Sequence, residues 1–272
     1  MSAPSSYVLG YTDHERRRLA LQATILNPLT RDFLLRAGLA PGMRVLDLGC
    51  GVGDVSFLAA QIVGPQGHVT GLDIDGQALA IARAFLAEAQ LTHVDFEERP
   101  ITEHNPPHPY DAIIGRHILI HTPNPALIVQ QAAAQVRPGG IVAFQEYDLS
   151  RYYPSTPAKP LFDKVSRLLV DFFTRVTHAD IGMRLFELFH RAGLVNVQGR
   201  GEFLVDGGAS SPFYEWAAET VRSLVPKLEA TGLATRGELE VDTLAERFRE
   251  EAITVGGVLT SAVLVGTSGC KP

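Results

Sequence analysis

A chain of 272 residues can bury one large α/β core or two small ones without a metal or disulfide staple. Its 24 Lys plus Arg stand against 30 Asp plus Glu, a net charge of −6. That balance lacks the positive excess of a protein gripping a phosphate backbone, so no nucleic-acid partner is expected. With 46% hydrophobic and 20% charged residues the composition excludes a mostly disordered chain. No apolar run approaches the roughly 18 residues of a membrane span. Cys50 lies in a glycine-rich turn where a structural disulfide is not expected, and the N-terminus lacks a basic region followed by an apolar core. These features predict a cytoplasmic protein and leave its oligomeric state open.

From Asp13 to Ala37 the apolar residues Leu19, Ile25, Leu26, Leu29, Phe33 and Leu34 recur at helical spacing around Asn27-Pro28, which predicts two helices meeting near that proline. Pro41-Gly42 stops the pattern. Short apolar runs then begin at Val45, Val69, Val94, Asp111 and Ile141, separated by the helix-period stretches DVSFLAAQIV, GQALAIARAFLAEA and NPALIVQQAAAQV. Strands alternating with such helices predict right-handed crossovers and a mainly parallel sheet. Beyond Tyr147 the pattern changes: Ala158 to Ala192 reads as helices, a strand is expected from Val195, Pro212 to Glu251 is polar and helical, and a last strand covers Val258 to Gly266. This organisation predicts one domain with helical additions over one edge of the sheet.

The strongest signal is Asp47-Leu48-Gly49-Cys50-Gly51-Val52-Gly53-Asp54, which follows the first strand. Three glycines at alternate positions let the backbone turn sharply and let a ligand approach where a Cβ would clash. The spacing is G-x-G-x-G, whereas a dinucleotide fingerprint needs G-x-G-x-x-G, and Asp54 takes the place of that third glycine. Asp47, just before the loop, would attract a cation and repel a diphosphate. Asp73, twenty residues beyond Gly53, ends the second strand, where a carboxylate can accept both ribose hydroxyl protons of an adenosine ligand. Its lesser reading is a helix N-cap before Asp75-Gly76, which the glycine loop makes weaker still.

At these residues the chain resembles the class I S-adenosylmethionine-dependent methyltransferases, whose first motif has the form D/E-x-G-x-G-x-G with an acid closing the second strand. The resemblance covers about Met43 to Asp148. Tyr110-Asp111-Ala112-Ile113-Ile114 followed by Arg116-His117 looks like the family's fourth strand, and Val136-Arg137-Pro138-Gly139-Gly140 like its Pro-Gly-Gly turn. The opening YVLGYTDHERRRLALQ looks like the N-terminal lid of the small-molecule group that includes the ubiquinone and menaquinone enzymes. The resemblance implies a Rossmann-like α/β fold, its sheet mainly parallel with helices on both faces. Residues 1–40 would form a helical lid, and 41–272 a methyltransferase domain with cap insertions near 158–192 and 212–251.

The implied cofactor is S-adenosyl-L-methionine. By that resemblance Asp47, Gly49 and Gly51 would surround its methionine part and sulfonium, Asp73 would hold the ribose and Ile74 would lie against the adenine. The backbone of Gly115 and Arg116 would face the methionine amino group. One departure appears at Glu98-Arg99-Pro100-Ile101: Pro100 occupies the place where the family often has an acid beside the adenine amino group, which leaves backbone at Ile101 for that contact. Tyr7 and Tyr11 flank the charge run Glu15-Arg16-Arg17-Arg18, which reads as a solvated face or as a gate. An aromatic face at Tyr11 would favour a sulfonium.

His117 and His121 are four apart, but no third ligand and no His-Glu-x-x-His arrangement accompanies them, so no metal is expected. Ligands of open α/β sheets bind past the carboxyl ends of the strands, which makes His117 the first candidate to face an acceptor and His121, one turn on if that segment is helical, the second; satisfied structural histidines are the equal alternative. Asn105-Pro106-Pro107-His108 precedes the fourth strand, whereas the Asn-Pro-Pro-Tyr motif of nitrogen methyltransferases follows it, so this stretch reads as a loop. Phe162, Phe172, Phe173, Phe213, Tyr214 and Trp216 are equally suited to line an apolar pocket or to pack a core. The expected activity is methyl transfer to a small organic acceptor such as a secondary metabolite, with the methylated atom (O, C, N or S) open. A cofactor-binding scaffold or cyclase without methyl transfer and an NAD-dependent dehydrogenase are the rival readings.

Overall fold

The computed structural model describes residues 13–272, and the side chains from residue 17 onward. Seven strands form one sheet in the order β3-β2-β1-β4-β5-β7-β6: β1 Arg44–Leu48, β2 His68–Asp73, β3 Val94–Glu98, β4 Tyr110–Arg116, β5 Val136–Asp148, β6 Val195–Gly207 and β7 Val258–Cys270. The first five pair in parallel, as the alternating pattern predicts. β7 runs against β6, since Gly199 lies opposite Thr267 while the Leu204 N–H donates to Ser261 Oγ. The Pro138-Gly139-Gly140 stretch does not precede β5 but loops within its start. There the register jumps from Tyr110↔Val136 to Ala112↔Ile141, and Gly139 and Gly140 bond Lys271 just past β7.

Strand residues alternate between faces. Val45, Ala112, Ile114, Ile141 and Ala143 join one buried cluster with Phe33 and Leu34, with Leu58 and Ala59 of α2 (Asp54–Val63), and with Leu79 of α3 (Gly76–Ala89). Phe144, pointing to the opposite face, meets Phe189 of α6 (Ile181–Arg191) edge-on at 6.0 Å, and α4 (Pro125–Gln135) packs beside α6. Helices therefore cover both faces.

The chain clusters into two compact units. One comprises Asn27–Glu146, Ile181–Gly201 and Val265–Pro272 and holds β1–β4, α2–α4 and α6. The other comprises residues up to Leu26, Tyr147–Asp180 and Glu202–Leu264. It holds α5 (Pro160–Val176), α7 (Phe213–Ala230), α8 (Arg236–Leu239) and α9 (Leu244–Thr254). α6, which the sequence groups with the helical additions, thus belongs to the sheet unit.

The helical unit has its own core, in which Phe162, Phe172, Phe173, Phe213, Tyr214 and Trp216 are all buried. Packing accounts for each of these aromatics. The first turn of α5 has no capping side chain of its own. Glu251 of α9 supplies the missing acceptor, taking the Leu161 and Phe162 N–H groups at 2.7 and 3.0 Å.

The break expected at Pro28 does not occur. One helix, α1, runs from Asp13 to Ala37 with Pro28 inside it, although the boundary between units falls at Leu26/Asn27. An interior proline costs about 3 kcal/mol. Burial of Leu26, Phe33 and Leu34, at about 1.5 to 3 kcal/mol for each side chain, outweighs that loss. The charge run also divides rather than forming one solvated face: Arg17 is exposed and sits 3.8 Å from Glu215, whereas Arg18 is buried and donates to Gln22 at 2.7 Å. Tyr7 and Tyr11 lie outside the described residues.

Candidate functional site

The glycine loop leaves β1 with Gly49, Gly51 and Gly53 at φ of +65°, +54° and +92°, the left-handed region that side chains rarely adopt. Gly49 meets a second constraint. A Cβ there would fall 2.7 Å from Ile118 Cγ1, because the Ile118 side chain closes over it, and Ile118 also covers Gly115, where a Cβ would lie 3.0 Å from its Cγ2. At Gly49, Gly53 and Gly115 there is no room for a side chain.

Asp73 is bound into this loop. Its Oδ2 accepts the Gly51 N–H at 2.8 Å, and its Oδ1 accepts the Asp75 N–H at 2.9 Å. The cap of α3 is Asp75, whose carboxyl accepts from Gln77 and Ala78, so the capping alternative for Asp73 does not apply. Ile74, beside it, is 57% exposed, an apolar side face next to a carboxyl. Ile101 is buried in a short 3-10 turn with its carbonyl engaged by the His104 N–H.

Asp47 differs from the open ligand group that the resemblance implies: it is 1% exposed and accepts from Ser56 Oγ at 2.6 Å. Burial lifts its carboxyl from 3.8 to about 7; the Ser56 hydrogen bond and the Arg116 charge oppose this, and the carboxylates of Asp73 and Asp54 add to it. Arg116 turns its guanidinium toward α1, donating to Asn27 Oδ1 and Thr30 Oγ1 at 3.0 Å each. Cys50, buried in the loop, is a free thiol pushed well above its usual range by burial and by Asp47 and Asp73.

His117 follows β4, half-buried, with φ +57° and its N–H on the Gln145 carbonyl at 2.9 Å. This left-handed residue breaks any helix through it. Only a 3-10 turn, Leu119–His121, follows, so the helical turn expected to link His117 with His121 is absent. Among the described residues no group of three or more His, Cys, Asp or Glu is placed to hold a metal ion.

Two acids at the strand tips were missed in the sequence. Glu98 lies opposite Asp73 in the β2–β3 register, with a carboxyl oxygen 2.7 Å from where a Cβ of Gly76 would be. Glu146, on β5, is fully buried and accepts the Leu119 N–H at 2.6 Å; burial raises it from 4.5 to about 8 against the pull of that bond and of the Ile118 and Ile120 N–H groups. The signal for Glu98 is its strand-end position in a parallel pair. The signal for Glu146 is a charge that follows the apolar run Ile141-Val142-Ala143-Phe144 within one strand.

Asp47 and Glu146 keep protons on the native state at pH values where the unfolded chain has released them. Stability therefore falls as pH rises between the ordinary carboxyl values near 4 and the raised values of about 7 and about 8. Denaturant midpoints should decline from pH 6 to pH 9, and Glu146→Gln, which cannot ionise, should flatten the decline. A wild-type midpoint constant over that range contradicts the burial of both groups.

Residues 39–188, more than half of the chain, match the family model for a methyltransferase domain, and the chain belongs to that family. Over 122 residues it is 38% identical to the ubiquinone biosynthesis O-methyltransferase of Sodalis glossinidius, covering 44% of this chain and 47% of that protein. The chain spans about half the length of such curated relatives. Phosphoethanolamine N-methyltransferase 2 of Haemonchus contortus, solved with S-adenosyl-L-methionine, aligns over 89% of this chain and 51% of its own, with a TM-score of 0.57 and 17% identity. The cyclase SpnF aligns over 90% of this chain and 80% of its own, with a TM-score of 0.54 and 18% identity. Both share the fold. Among the described residues no helix is long and apolar enough to cross a membrane.

Proposed function

We propose that the chain is an S-adenosylmethionine-dependent methyltransferase acting on a small organic acceptor, placed in the cytoplasm. Beyond family membership, one observation carries the ligand reading: the loop of left-handed glycines at the end of β1 is closed by the carboxyl of Asp73, which accepts the Gly51 N–H. Such a cradle favours a cation and disfavours the diphosphate of a dinucleotide. When bound, S-adenosylmethionine supplies a methyl group on a sulfonium, a good leaving group.

The chain's own residues divide the work. The Asp73 carboxylate accepts the ribose hydroxyl protons, and Ile74 offers its exposed face to the adenine. Gly49 and Gly51 let the backbone approach, and the backbone of Gly115 and Arg116 faces the amino group. The His117 imidazole takes the acceptor's proton when the acceptor arrives un-ionised, with His121 as the second candidate. The sheet and loop hold the reactants in line and exclude water.

Thermal unfolding tests the ligand. At about 100 times its Kd, a ligand that binds only the native state adds roughly 2.7 kcal/mol, enough to raise Tm by several degrees in a domain of this size. S-adenosylhomocysteine should give that rise and NAD should not. The reverse result at matched millimolar concentrations overturns the proposal. S-adenosylhomocysteine binding combined with no methyl transfer to any member of a metabolite panel favours the cofactor-binding cyclase or scaffold.

A further inference from the structure

Glu146 has no place in the mechanism above, yet it is the most completely buried acid of the sheet unit beside Asp47. One residue past the last registered pair Arg116↔Gln145, it lies at the carboxyl end of β5, alongside the chain that leaves β4. Its Oε1 receives the Leu119 N–H at 2.6 Å, and the Ile118 and Ile120 N–H groups act on the same carboxyl. The middle N–H of this turn is thus hydrogen-bonded to the side chain, and the N–H groups on either side of it lie near enough to act on the same carboxyl. Its Oε2 is buried with no hydrogen-bond partner among the described residues.

A short 3-10 turn following a left-handed residue satisfies few of its own N–H groups, and a carboxyl receiving them fixes its conformation. The residue held at the start of that turn is Ile118, the side chain that closes over Gly49 and Gly115. We propose that Glu146 is a positioning residue of the glycine loop: by holding the Ile118–Ile120 backbone it seats the Ile118 side chain against Gly49 and thereby sets the shape of the cradle. It acts through Ile118 and touches no ligand. The link to ligand affinity rests on the cofactor reading given above.

Two measurements separate this role from a general contribution to stability. Amide hydrogen exchange on the ligand-free protein reads the turn directly. Glu146→Ala should raise exchange at Ile118, Leu119 and Ile120 at least about 10-fold beyond any change elsewhere in the sheet unit, whereas Glu146→Gln, which keeps an acceptor oxygen, should stay within about 3-fold of wild type.

Calorimetry with S-adenosylhomocysteine reads the consequence. Glu146→Ala should weaken binding at least about 10-fold, Glu146→Gln should restore most of it, and in an Ile118→Ala background Glu146→Ala should cost less than about 3-fold more. If Glu146→Ala does not fold, Glu146→Asp, whose carboxyl sits one methylene short of the turn, takes its place with the same expectations. Unchanged exchange at the turn overturns the proposal, and so does an equal loss of affinity with and without the Ile118 side chain. A wild-type protein that does not bind S-adenosylhomocysteine refutes the cofactor reading instead, and the exchange experiment then decides the positioning of the turn by itself.

Discussion

His117→Gln should slow single-turnover methyl transfer at least about 100-fold while leaving S-adenosylhomocysteine affinity within a few-fold, because a general base typically contributes about 100 to 10,000-fold in rate. The imidazole sits just past β4, at the carboxyl end of the sheet, where ligands of open α/β sheets bind. Glutamine can hydrogen-bond an acceptor but cannot take its proton, so it separates orientation from proton transfer. His117→Ala should be equally slow. The left-handed backbone at this residue, φ +57°, adds strain to either substitution, so the comparison requires a variant whose Tm and cofactor affinity match the wild type. Asparagine, which tolerates that region better, gives a third variant with the same expected rate. A glutamine variant that transfers methyl at the wild-type rate reduces His117 to a positioning group and points to acceptors already ionised at neutral pH.

The second large effect is expected at Asp73. Replacing it with Asn keeps the shape, removes the charge and turns one acceptor oxygen into a donor. That change faces the Gly51 or Asp75 N–H that the carboxylate now accepts. Loss of a charge-assisted ribose contact predicts about 1.5 to 3 kcal/mol of lost affinity, on the order of 10 to 100-fold in Kd. The control is built in. Asp75→Ala removes the α3 cap, which should cost about 1 kcal/mol of stability and leave affinity nearly untouched. Calorimetry on a folded Asp73→Asn protein with unchanged affinity for S-adenosylhomocysteine removes the residue from the site.

The parallel half of the fold was legible because its signals are local. α2 and α3 span the helix-period stretches as read, since a stripe of buried residues and a glycine or aspartate boundary fix each end. The miss at Pro28 has the opposite origin: the proline rule is local, but the burial of Leu26 and Phe33 depends on segments remote in sequence. The helical turn expected between His117 and His121 failed for a related reason. Four-residue spacing carries meaning only on a helix, and the left-handed turn at His117 shows no composition cue beyond a histidine before Ile118. The glycine loop and Asp73 were readable because backbone approach and a strand-end acid leave sequence marks. Glu98, Glu146 and Ile118 were not, because their placement depends on strand register and on a tertiary backbone contact.

The neighbouring acids Asp73 and Asp75 also bear on how such a site tolerates change. Had one carboxyl both capped α3 and faced the ligand, every substitution there would trade affinity against folding, the conflict that commonly limits variation at binding sites. Here the helix takes its cap from Asp75, and Asp73 closes the loop through Gly51. The α3 cap is thus carried two residues away from the carboxyl proposed to hold the ribose, so a change at Asp75 spares the loop, whereas a change at Asp73 disturbs the Gly51 and Asp75 N–H groups together with any ligand contact.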